Sequence, residues 1–445
     1  MRKTFISLLF LGFLFLGTGS FASSEETPPS FDDTIPFGFG VNIHTHASFP
    51  SSLDPIGDVG FKVVRTNLYW HHVESSMGVY DWSQYDKLLQ KMAEAHIRPL
   101  MVLSFSNPLY EPMLEMRSPL NKVFRKVAPP THPESIAAFA RYAAQAAKRY
   151  KSYNVIWEIW NEPDYMTFWV PVANGDEYAR LAAATCQAIK GQNPRAIVIG
   201  PSASGFPENE GAKDWWKPFL KSTAMDCIDA ISIHPYVRGV GKGPENNLAR
   251  YKKFREFVNQ YTPKNLPIIS SEAGFTTTDS GVSDEQQGAL LVRNYITNLA
   301  VGVPLSVWYD WRNDGTDPQE REHNFGLITR EGTKKKALYA ARTLTRSLDG
   351  YRLVSRVKLD QPYDNTNNFV YSFKNPQKPD ILVAWTTEPH AHKIQIQLWH
   401  EGEPLINVYD AIGKTRPFQI LDGKIVIEIS SVPQYITMSN QQEVR

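Results

Sequence analysis

Two acidic side chains stand at the ends of apolar runs, where carboxyl groups are ordinarily rare. Glu162 follows the run IWEIWN among bulky rings, and Glu272 follows the run PIISS. A carboxyl group among apolar rings holds its proton to higher pH, because burial disfavours the charged form. One protonated and one ionised carboxyl group flanking a glycosidic bond carry out retaining hydrolysis. We therefore predict Glu162 as acid/base and Glu272 as nucleophile; the alternative for each is a structural ion pair.

The elements that must position these acids follow from the alternation of apolar runs and helical patterns between residues 35 and 345. The strand-like runs are FGFGVNI, FKVVRTNL, RPLMVLSF, VIWEIW, AIVIG, AISI, PIISS and LSVWYDW. Amphipathic stretches such as PESIAAFARYAAQAAKRY lie between them. Eight β/α units predict a (β/α)8 TIM barrel over residues 32–347. A doubly wound sheet also alternates, but no G-x-G-x-x-G follows the first run.

The barrel places the two acids at one level. Functional residues of this fold lie where the strands end and the following loops begin. Glu162 comes at the end of the fourth run and Glu272 at the end of the seventh. Glu158 lies within the fourth run, where we expect a buried salt bridge, and Asp164 is expected to serve the loop or cap.

The pattern changes after residue 347. The runs become short and often strictly alternating, as in KIQIQLW, with Asn, Pro and Gly between them. They predict a small β-sandwich over residues 348–445, following the catalytic barrel. This domain could bind sugar, but a structural cover packed against the barrel is the favoured interpretation.

The N-terminus predicts export. Arg2 and Lys3 precede an apolar run, and Ser20-Phe21-Ala22 supplies small residues for cleavage, so residues 1–22 are predicted to be a signal peptide. An uncleaved anchor is the alternative. The run is short for a membrane span, and later segments carry charges, so we expect no span in the mature chain, which would be periplasmic or secreted.

The charge and cysteine content restrict the partners. A formal net charge of +1 gives no field that would recruit nucleic acid or an anionic lipid surface, which leaves a neutral partner open. The two opposed acids predict that this partner is an oligosaccharide or polysaccharide substrate. Cys186 and Cys227 are the only cysteines. They could form a disulfide or remain two buried thiols, and the thiols are slightly favoured because spacing alone gives no pairing.

The motifs W-N-E-P-D (160–164) and S-E-A-G-F (271–275) resemble the clan of (β/α)8 retaining glycoside hydrolases that carry both acids on strands four and seven. Within it, the chain is most similar to family 39, the β-xylosidases and α-iduronidases, and in particular to its exopolysaccharide endoglycosidases of the Psl type. The likeness extends through FGLITREGTKKKALYAARTL (325–344). It implies cleavage of β-linked bonds within a polysaccharide, with no cofactor and with exopolysaccharide biosynthesis machinery as a partner. An exo-acting β-xylosidase is the alternative.

The resemblance also implies supporting roles. Asn161 would bind the sugar 2-hydroxyl, and Arg65 would hold Glu272 ionised. His234 and Tyr236, in SIHPY, would bind the substrate and the nucleophile. Trp308 would be the platform beneath the cleaved sugar.

Further sugar contacts are expected around the barrel mouth. Asn42 and His44 on the first strand and Trp70 after the second are candidates, as is Trp169 in the loop after Glu162. A belt of aromatic residues suggests several stacking subsites and so a polymer; it comprises Trp70, Tyr110, Trp169, Trp215, Trp216 and Trp311.

Two rival functions remain. The stretch VNIHTH places His44 and His46 as an H-x-H pair that, with His234 and Asp310, could begin the metal centre of an amidohydrolase. That function leaves Glu272 without a role. A non-catalytic sugar-binding barrel is the second rival, although binding alone does not need two opposed carboxyl groups.

Overall fold

The structure is a computed structural model that describes residues 31–45, 53–117, 123–237, 239, 241–279, 281–397 and 405–439. The predicted signal peptide, residues 1–22, lies outside the described residues. None of the helices in the described ranges combines the length and hydropathy that a membrane crossing needs.

The first part of the chain is a closed parallel barrel. Its strands are β1 (Phe39–Asn42), β2 (Val63–Tyr69), β3 (Arg98–Ser104), β4 (Met113–Arg117), β5 (Val123–Val127), β6 (Ile156–Ile159), β7 (Ile197–Ala203), β8 (Ala230–Ile233), β9 (Ile268–Ala273) and β10 (Ser306–Trp308). β4 and β5 form a hairpin after β3, and the other eight described strands close in the order β1-β2-β3-β6-β7-β8-β9-β10. This is the predicted (β/α)8 barrel.

Helices cover the outside of the barrel. They are α1 (Asp54–Val59), α2 (Trp70–Val73), α3 (Ser83–Glu94), α4 (Pro133–Arg149), α5 (Gly175–Gln192), α6 (Glu210–Lys221), α7 (Ala224–Cys227), α8 (Asn247–Val258), α9 (Asp284–Ala300) and α10 (Lys336–Ser347). α4 begins with Pro133 at its first turn, and α9 begins with a capping box between Ser283 and Gln286. Local sequence therefore sets where these helices begin.

Alternation along the strands divides the core into two layers. Val63, Leu100 and Ile156 belong to an apolar cluster inside the barrel. Their neighbours Val64 and Met101 belong to the larger cluster between the strands and the helices. Because side chains alternate along a strand, the residue two positions after an inward-facing one also faces inward. Arg65, two positions after Val63, therefore faces inward nearer the mouth of the barrel.

The C-terminal part consists of two antiparallel sheets. Its strands are β11 (Arg352–Arg356), β12 (Asn368–Asn375), β13 (Lys378–Thr386), β14 (His392–Gln397), β15 (Leu405–Asp410), β16 (Phe418–Leu421), β17 (Lys424–Ile429) and β18 (Gln434–Ser439). The sheets have the orders β11-β12-β13-β18-β15 and β14-β17-β16. An apolar cluster that contains Ile394 and Ile427 of the smaller sheet and Leu382 and Ile436 of the larger one joins them, which confirms the predicted sandwich.

The five-stranded sheet packs on the barrel through polar and aromatic side chains. Glu245 accepts two hydrogen bonds from Arg293 of α9, both 2.7 Å, and one of 2.7 Å from the indole of Trp385 on β13. All three side chains are buried or nearly so. The sandwich therefore packs against one side of the barrel.

Cys186 on α5 and Cys227 on α7 form a disulfide, with their Cα atoms 6.0 Å apart. The slightly favoured expectation of two free thiols was wrong. α7 packs against α5 in the fold, which brings the two residues together across 41 positions of sequence.

Candidate active site

Arg65 of β2 lies at the centre of the barrel mouth and is 2% exposed. Its Nε donates to Glu158 Oε2 over 2.7 Å, and its Nη1 donates to Glu272 Oε2 over 2.8 Å. Its Nη2 donates to Asn161 Oδ1 over 2.8 Å. One guanidinium therefore connects strands β2, β6 and β9. Glu158 forms the expected buried salt bridge.

A β-bulge turns Glu272 into this cluster. Ile269 faces the barrel interior, so regular alternation would point Glu272 outward. The pairing with β10 matches Ser306 to Ser270 but Trp308 to Ala273, so two steps along β10 span three along β9. The extra residue reverses the alternation and places the Glu272 carboxylate beside Arg65.

Glu162 is turned inward by unusual backbone torsion angles and not by a bulge. Trp160 and Glu162 have φ values of 68° and 47°, in the left-handed region that L-residues rarely adopt. Trp160 leaves the alternation and packs in the outer cluster, while Glu162 N donates to Ser202 O over 2.9 Å. Asn161 and Glu162, although adjacent, therefore both reach the barrel mouth.

His234 bridges the two acids. Its Nδ1 lies 2.8 Å from Glu162 Oε1 and 3.8 Å from Glu272 Oε1. Tyr236 donates its hydroxyl to Glu272 Oε1 over 2.9 Å. A carboxylate oxygen of Glu162 and one of Glu272 lie within 4.8 Å of each other. The structure thus brings together the two acids and all four predicted supporting residues.

Ser202 also belongs to this network, although no pattern in the sequence predicts it. Its hydroxyl lies 2.9 Å from His234 Nε2 and 3.2 Å from Arg65 Nη2. A register shift in β7 and a φ of 58° turn this side chain inward. A serine in the run GPSASG carries no signal for such a position, because the shift depends on the pairing with β8.

The charges of the cluster set its protonation. Burial alone would raise the pKa of Glu272, but His234 and Arg65 and the Tyr236 hydroxyl outweigh it, so the pKa lies below its ordinary value. Burial would lower the pKa of His234, but the carboxylates of Glu272 and Glu162 raise it. Glu272 is therefore held ionised.

Comparison with known proteins adds the family. A family model described as cellulase, glycosyl hydrolase family 5, matches residues 35–315, more than half of the chain. The chain belongs to this family of glycoside hydrolases. A β-xylosidase of Geobacillus stearothermophilus is 28% identical over 151 residues, which cover 30% of this chain and only 28% of that protein.

Solved structures agree on the fold of this hydrolase. A family 39 glycoside hydrolase from Bacteroides cellulosilyticus WH2 superposes with a TM-score of 0.76 at 24% identity, covering 93% of this chain and 83% of that one. A family 39 β-xylosidase from Caulobacter crescentus gives 0.66 at 16% identity, covering 92% and 98%. The shared barrel-plus-sandwich fold therefore extends over nearly the whole described hydrolase.

Trp308 does not face the site of this hydrolase. Val307 belongs to the interior cluster, so the next side chain points outward, and Trp308 is fully buried in the outer cluster. Tyr309 takes its place: its hydroxyl lies 3.1 Å from His44 Nε2, and its ring meets that of Phe325 at 5.2 Å. The prediction of Trp308 as the platform was wrong by one position. Tyr309 faces inward instead, because side chains alternate along β10.

The prediction that Trp70 and Trp169 contact sugar was also wrong, since both are core residues. Both are fully buried. Trp70 donates its indole N–H to Glu74 over 2.6 Å and stacks on Tyr110, with ring centroids 5.0 Å apart. Trp169 donates to Glu177 over 3.0 Å. Their polar atoms are satisfied internally, so these rings support the loops rather than contact a ligand in the cleft.

The other four residues of the aromatic belt are partly core and partly surface residues. Trp215 and Trp216 of α6 are buried, whereas Tyr110 and Trp311 are partly exposed. The belt therefore offers fewer stacking surfaces than its composition suggested.

Asn42 and His44 lie at the site. Asn42 is buried and accepts a hydrogen bond of 3.2 Å from Arg65 Nη1, so it belongs to the arginine network. His44 Nε2 lies 3.5 Å from Asp310 Oδ2 and 3.6 Å from Asp314 Oδ2. Burial and the Asp314 carboxylate raise the pKa of Asp310 well above its usual range.

Side chains that could hold a metal ion fall into two separate sets within the described residues. One is His44, Asp310 and Asp314; the other is Glu162, His234 and Glu272, and the ligand atoms of each set lie within 4.8 Å of one another. An amidohydrolase centre would need His44 and His234 in one set. His46 lies outside the described residues. The arrangement therefore does not fit the metal-dependent rival.

Proposed function

We propose that this glycoside hydrolase retains anomeric configuration by double displacement, with Glu272 as nucleophile and Glu162 as acid/base. The observation that carries the proposal is the pair of carboxylate oxygens within 4.8 Å of each other. Retaining enzymes hold their carboxyl groups about 5–5.5 Å apart, whereas inverting enzymes leave about 6.5–9.5 Å for a water molecule.

In the first step, Glu272 attacks the anomeric carbon while the bond to the leaving oxygen breaks and Glu162 gives that oxygen a proton. Arg65 on Oε2 and Tyr236 on Oε1 orient the nucleophile. Asn161 Oδ1 accepts from Arg65, which turns its Nδ2–H groups toward a sugar hydroxyl. In the second step, Glu162 takes a proton from water, which attacks the same carbon and releases Glu272.

The assignment is tested by the Glu272→Gly variant. We expect hydrolysis to fall by at least about 10⁴-fold and azide to restore part of it as a glycosyl azide, because the small anion enters the space of the carboxylate. In wild type, nuclear magnetic resonance should find the first-formed product with the anomeric configuration of the substrate. Inverted product, or wild-type turnover in the variant, would contradict double displacement.

The substrate we propose is a β-linked polysaccharide cut internally, such as a bacterial exopolysaccharide, and within the clan that families 5 and 39 share we propose that the chain is most like family 39. The resemblance of the W-N-E-P-D and S-E-A-G-F motifs supports this. The similarity to a β-xylosidase supports the exo-acting alternative. Incubation with xylan, β-glucan, mannan and bacterial exopolysaccharides, followed by sizing of the products, distinguishes the two: oligosaccharides indicate internal cuts and monosaccharides indicate exo action.

We further propose that the chain is exported and serves exopolysaccharide biosynthesis machinery. The basic and apolar N-terminus and the small residues Ser20 and Ala22 support export. Fractionation of expressing cells, with N-terminal sequencing of the mature protein, tests this. A chain that keeps Met1 and stays in the cytoplasm would contradict it.

A further inference from the structure

Two large apolar side chains are exposed close after Glu162 in the sequence. Tyr165 is 50% exposed and Met166 54%. The neighbouring Trp169 of the same loop is fully buried, so exposure is not general in this loop. Tyr165 and the partly exposed Phe168, with ring centroids 6.3 Å apart, form a small aromatic patch, and contiguous apolar patches mark ligand contacts more often than single exposed residues do.

The loop that presents Tyr165 is firmly held. Tyr165 O accepts hydrogen bonds from Phe168 N and Trp169 N over 2.9 and 3.0 Å, and Trp160 donates its indole N–H to Phe168 O over 3.1 Å. Asp164 accepts from the backbone and hydroxyl of Ser204, both over 2.8 Å. A side chain on an anchored backbone loses little conformational freedom when a ligand binds.

The β4–β5 hairpin lies against this loop. Lys126 of β5 donates to Thr167 O over 2.5 Å, and its Nζ lies 5.3 Å from the centre of the Phe168 ring. Phe124 and its cross-strand partner Met116 share the hairpin face of Lys126, because side chains alternate. This face is therefore turned toward the loop that carries Tyr165.

The hairpin and the loop both lie on the side of the barrel mouth that carries the acid/base residue, Glu162. The hairpin follows β3 and the loop follows β6, and these strands are neighbours. Glu272 stands on β9, with β7 and β8 between. The group protonated by Glu162 is the oxygen of the leaving sugar, so that sugar must lie on this side.

We propose that Tyr165 is the stacking platform for the first sugar of the leaving group, and that Phe124 contacts the second. This rests on the proposed function and deepens it: the substrate class is a chain with at least two sugar units beyond the cleaved bond. An enzyme that cuts within a polysaccharide binds its substrate in this way, with sugar units on both sides of the cleaved bond.

The test measures how the glycosyl-enzyme is divided between water and an acceptor sugar. The 4-nitrophenyl β-glycosides of xylose, glucose and mannose serve as donors, and methyl glycosides, xylobiose, cellobiose and mannobiose serve as acceptors. In transfer, an acceptor hydroxyl oxygen attacks the anomeric carbon, the ester bond to Glu272 breaks, and Glu162 takes the hydroxyl proton. Mass spectrometry gives the ratio of transfer to hydrolysis, which depends on the leaving-group side alone.

In Tyr165→Ala we expect this ratio to fall about tenfold or more for all acceptors. Tyr165→Phe should keep it, since the ring remains. Phe124→Ala should lower it for the disaccharides but not for the methyl glycosides. The matched control is Tyr339→Ala, which removes a tyrosine that is 44% exposed on α10 and should leave the ratio at the wild-type value.

A ratio in Tyr165→Ala within twofold of wild type, in a variant that turns over donor, would overturn the proposal. An equal loss in donor turnover and in transfer would also overturn it, because it would indicate only a structural role. If wild type turned over neither donors nor any polysaccharide, the proposed function would fail, and this proposal with it. That outcome is distinct from turnover with an unchanged ratio.

Discussion

Arg65 determines the electrostatics of the site at the scale of single residues. Its guanidinium faces the carboxylates of Glu158 and Glu272, and all three groups are at least largely buried. A buried carboxylate such as that of Glu272 stays ionised only beside a cation and with hydrogen bonds to its oxygens. The planar fork of arginine reaches several acceptors at fixed angles, whereas lysine offers one point charge.

Arg65→Lys should therefore lower kcat by about 100-fold and move the acid limb of the pH–rate profile to higher pH. The pKa of Glu272 is depressed in the folded protein, so the nucleophile stays ionised to lower pH than a free glutamate. A weaker cation raises that pKa and protonates Glu272 earlier as the pH falls. The profile of kcat/KM in both proteins from about pH 3 to 9 measures the shift.

Arg98→Lys is the matched control, since Arg98 begins β3 at the opposite end of the barrel and bonds to Asn154 O. It should keep both the rate and the acid limb of wild type. An unchanged acid limb in Arg65→Lys would contradict the role assigned to the guanidinium.

At the scale of elements, the site depends on how closely the ends of β9 and β10 approach. Gly274 follows the bulged end of β9, and a Cβ at this position would lie 2.0 Å from Tyr309 O. That oxygen belongs to the backbone and cannot turn aside. The contact fixes Glu272 and Tyr309 relative to each other.

Gly274→Ala should separate the two strand ends and lower kcat/KM by about 100-fold, since displacing a reacting group by about 1 Å has effects of this size. The control is Gly191→Ala in α5, where no heavy atom lies within 4 Å of the added Cβ. That change should keep the rate and raise the free energy of unfolding by about 0.5–1 kcal/mol. Full activity in folded Gly274→Ala would show that the approach is not needed.

At the scale of the whole molecule, the barrel and the sandwich share buried groups. The Arg293 guanidinium and the Trp385 indole both donate to Glu245. Rings of β12 and β13, among them Phe369 and Trp385, belong to the same apolar cluster as the barrel helices. The two parts should therefore unfold together rather than as independent domains.

Glu245→Ala should lower the free energy of unfolding by about 3–5 kcal/mol, because it leaves a buried guanidinium without its partner. Chemical denaturation followed by fluorescence and circular dichroism measures the loss, and kcat at low temperature should stay near wild type. The surface variant Glu210→Ala removes an exposed acid of α6 paired with Lys213 and should change stability by less than about 1 kcal/mol. A similarly small loss in Glu245→Ala would contradict a shared core.

The sequence by itself determined the barrel, the sandwich and the levels of the two acids. Strand alternation, helical spacing and capping are local properties, and a strand end such as that before Glu162 can be read from the residues around it. Tertiary structure decided the rest. The bulge that turns Glu272 inward, the shift at Ser202, the exchange of Trp308 for Tyr309, the burial of Trp70 and Trp169, and the Cys186–Cys227 bond all depend on which neighbour a residue meets across the fold. Local sequence carries little signal for such contacts, because each involves residues far apart in the chain.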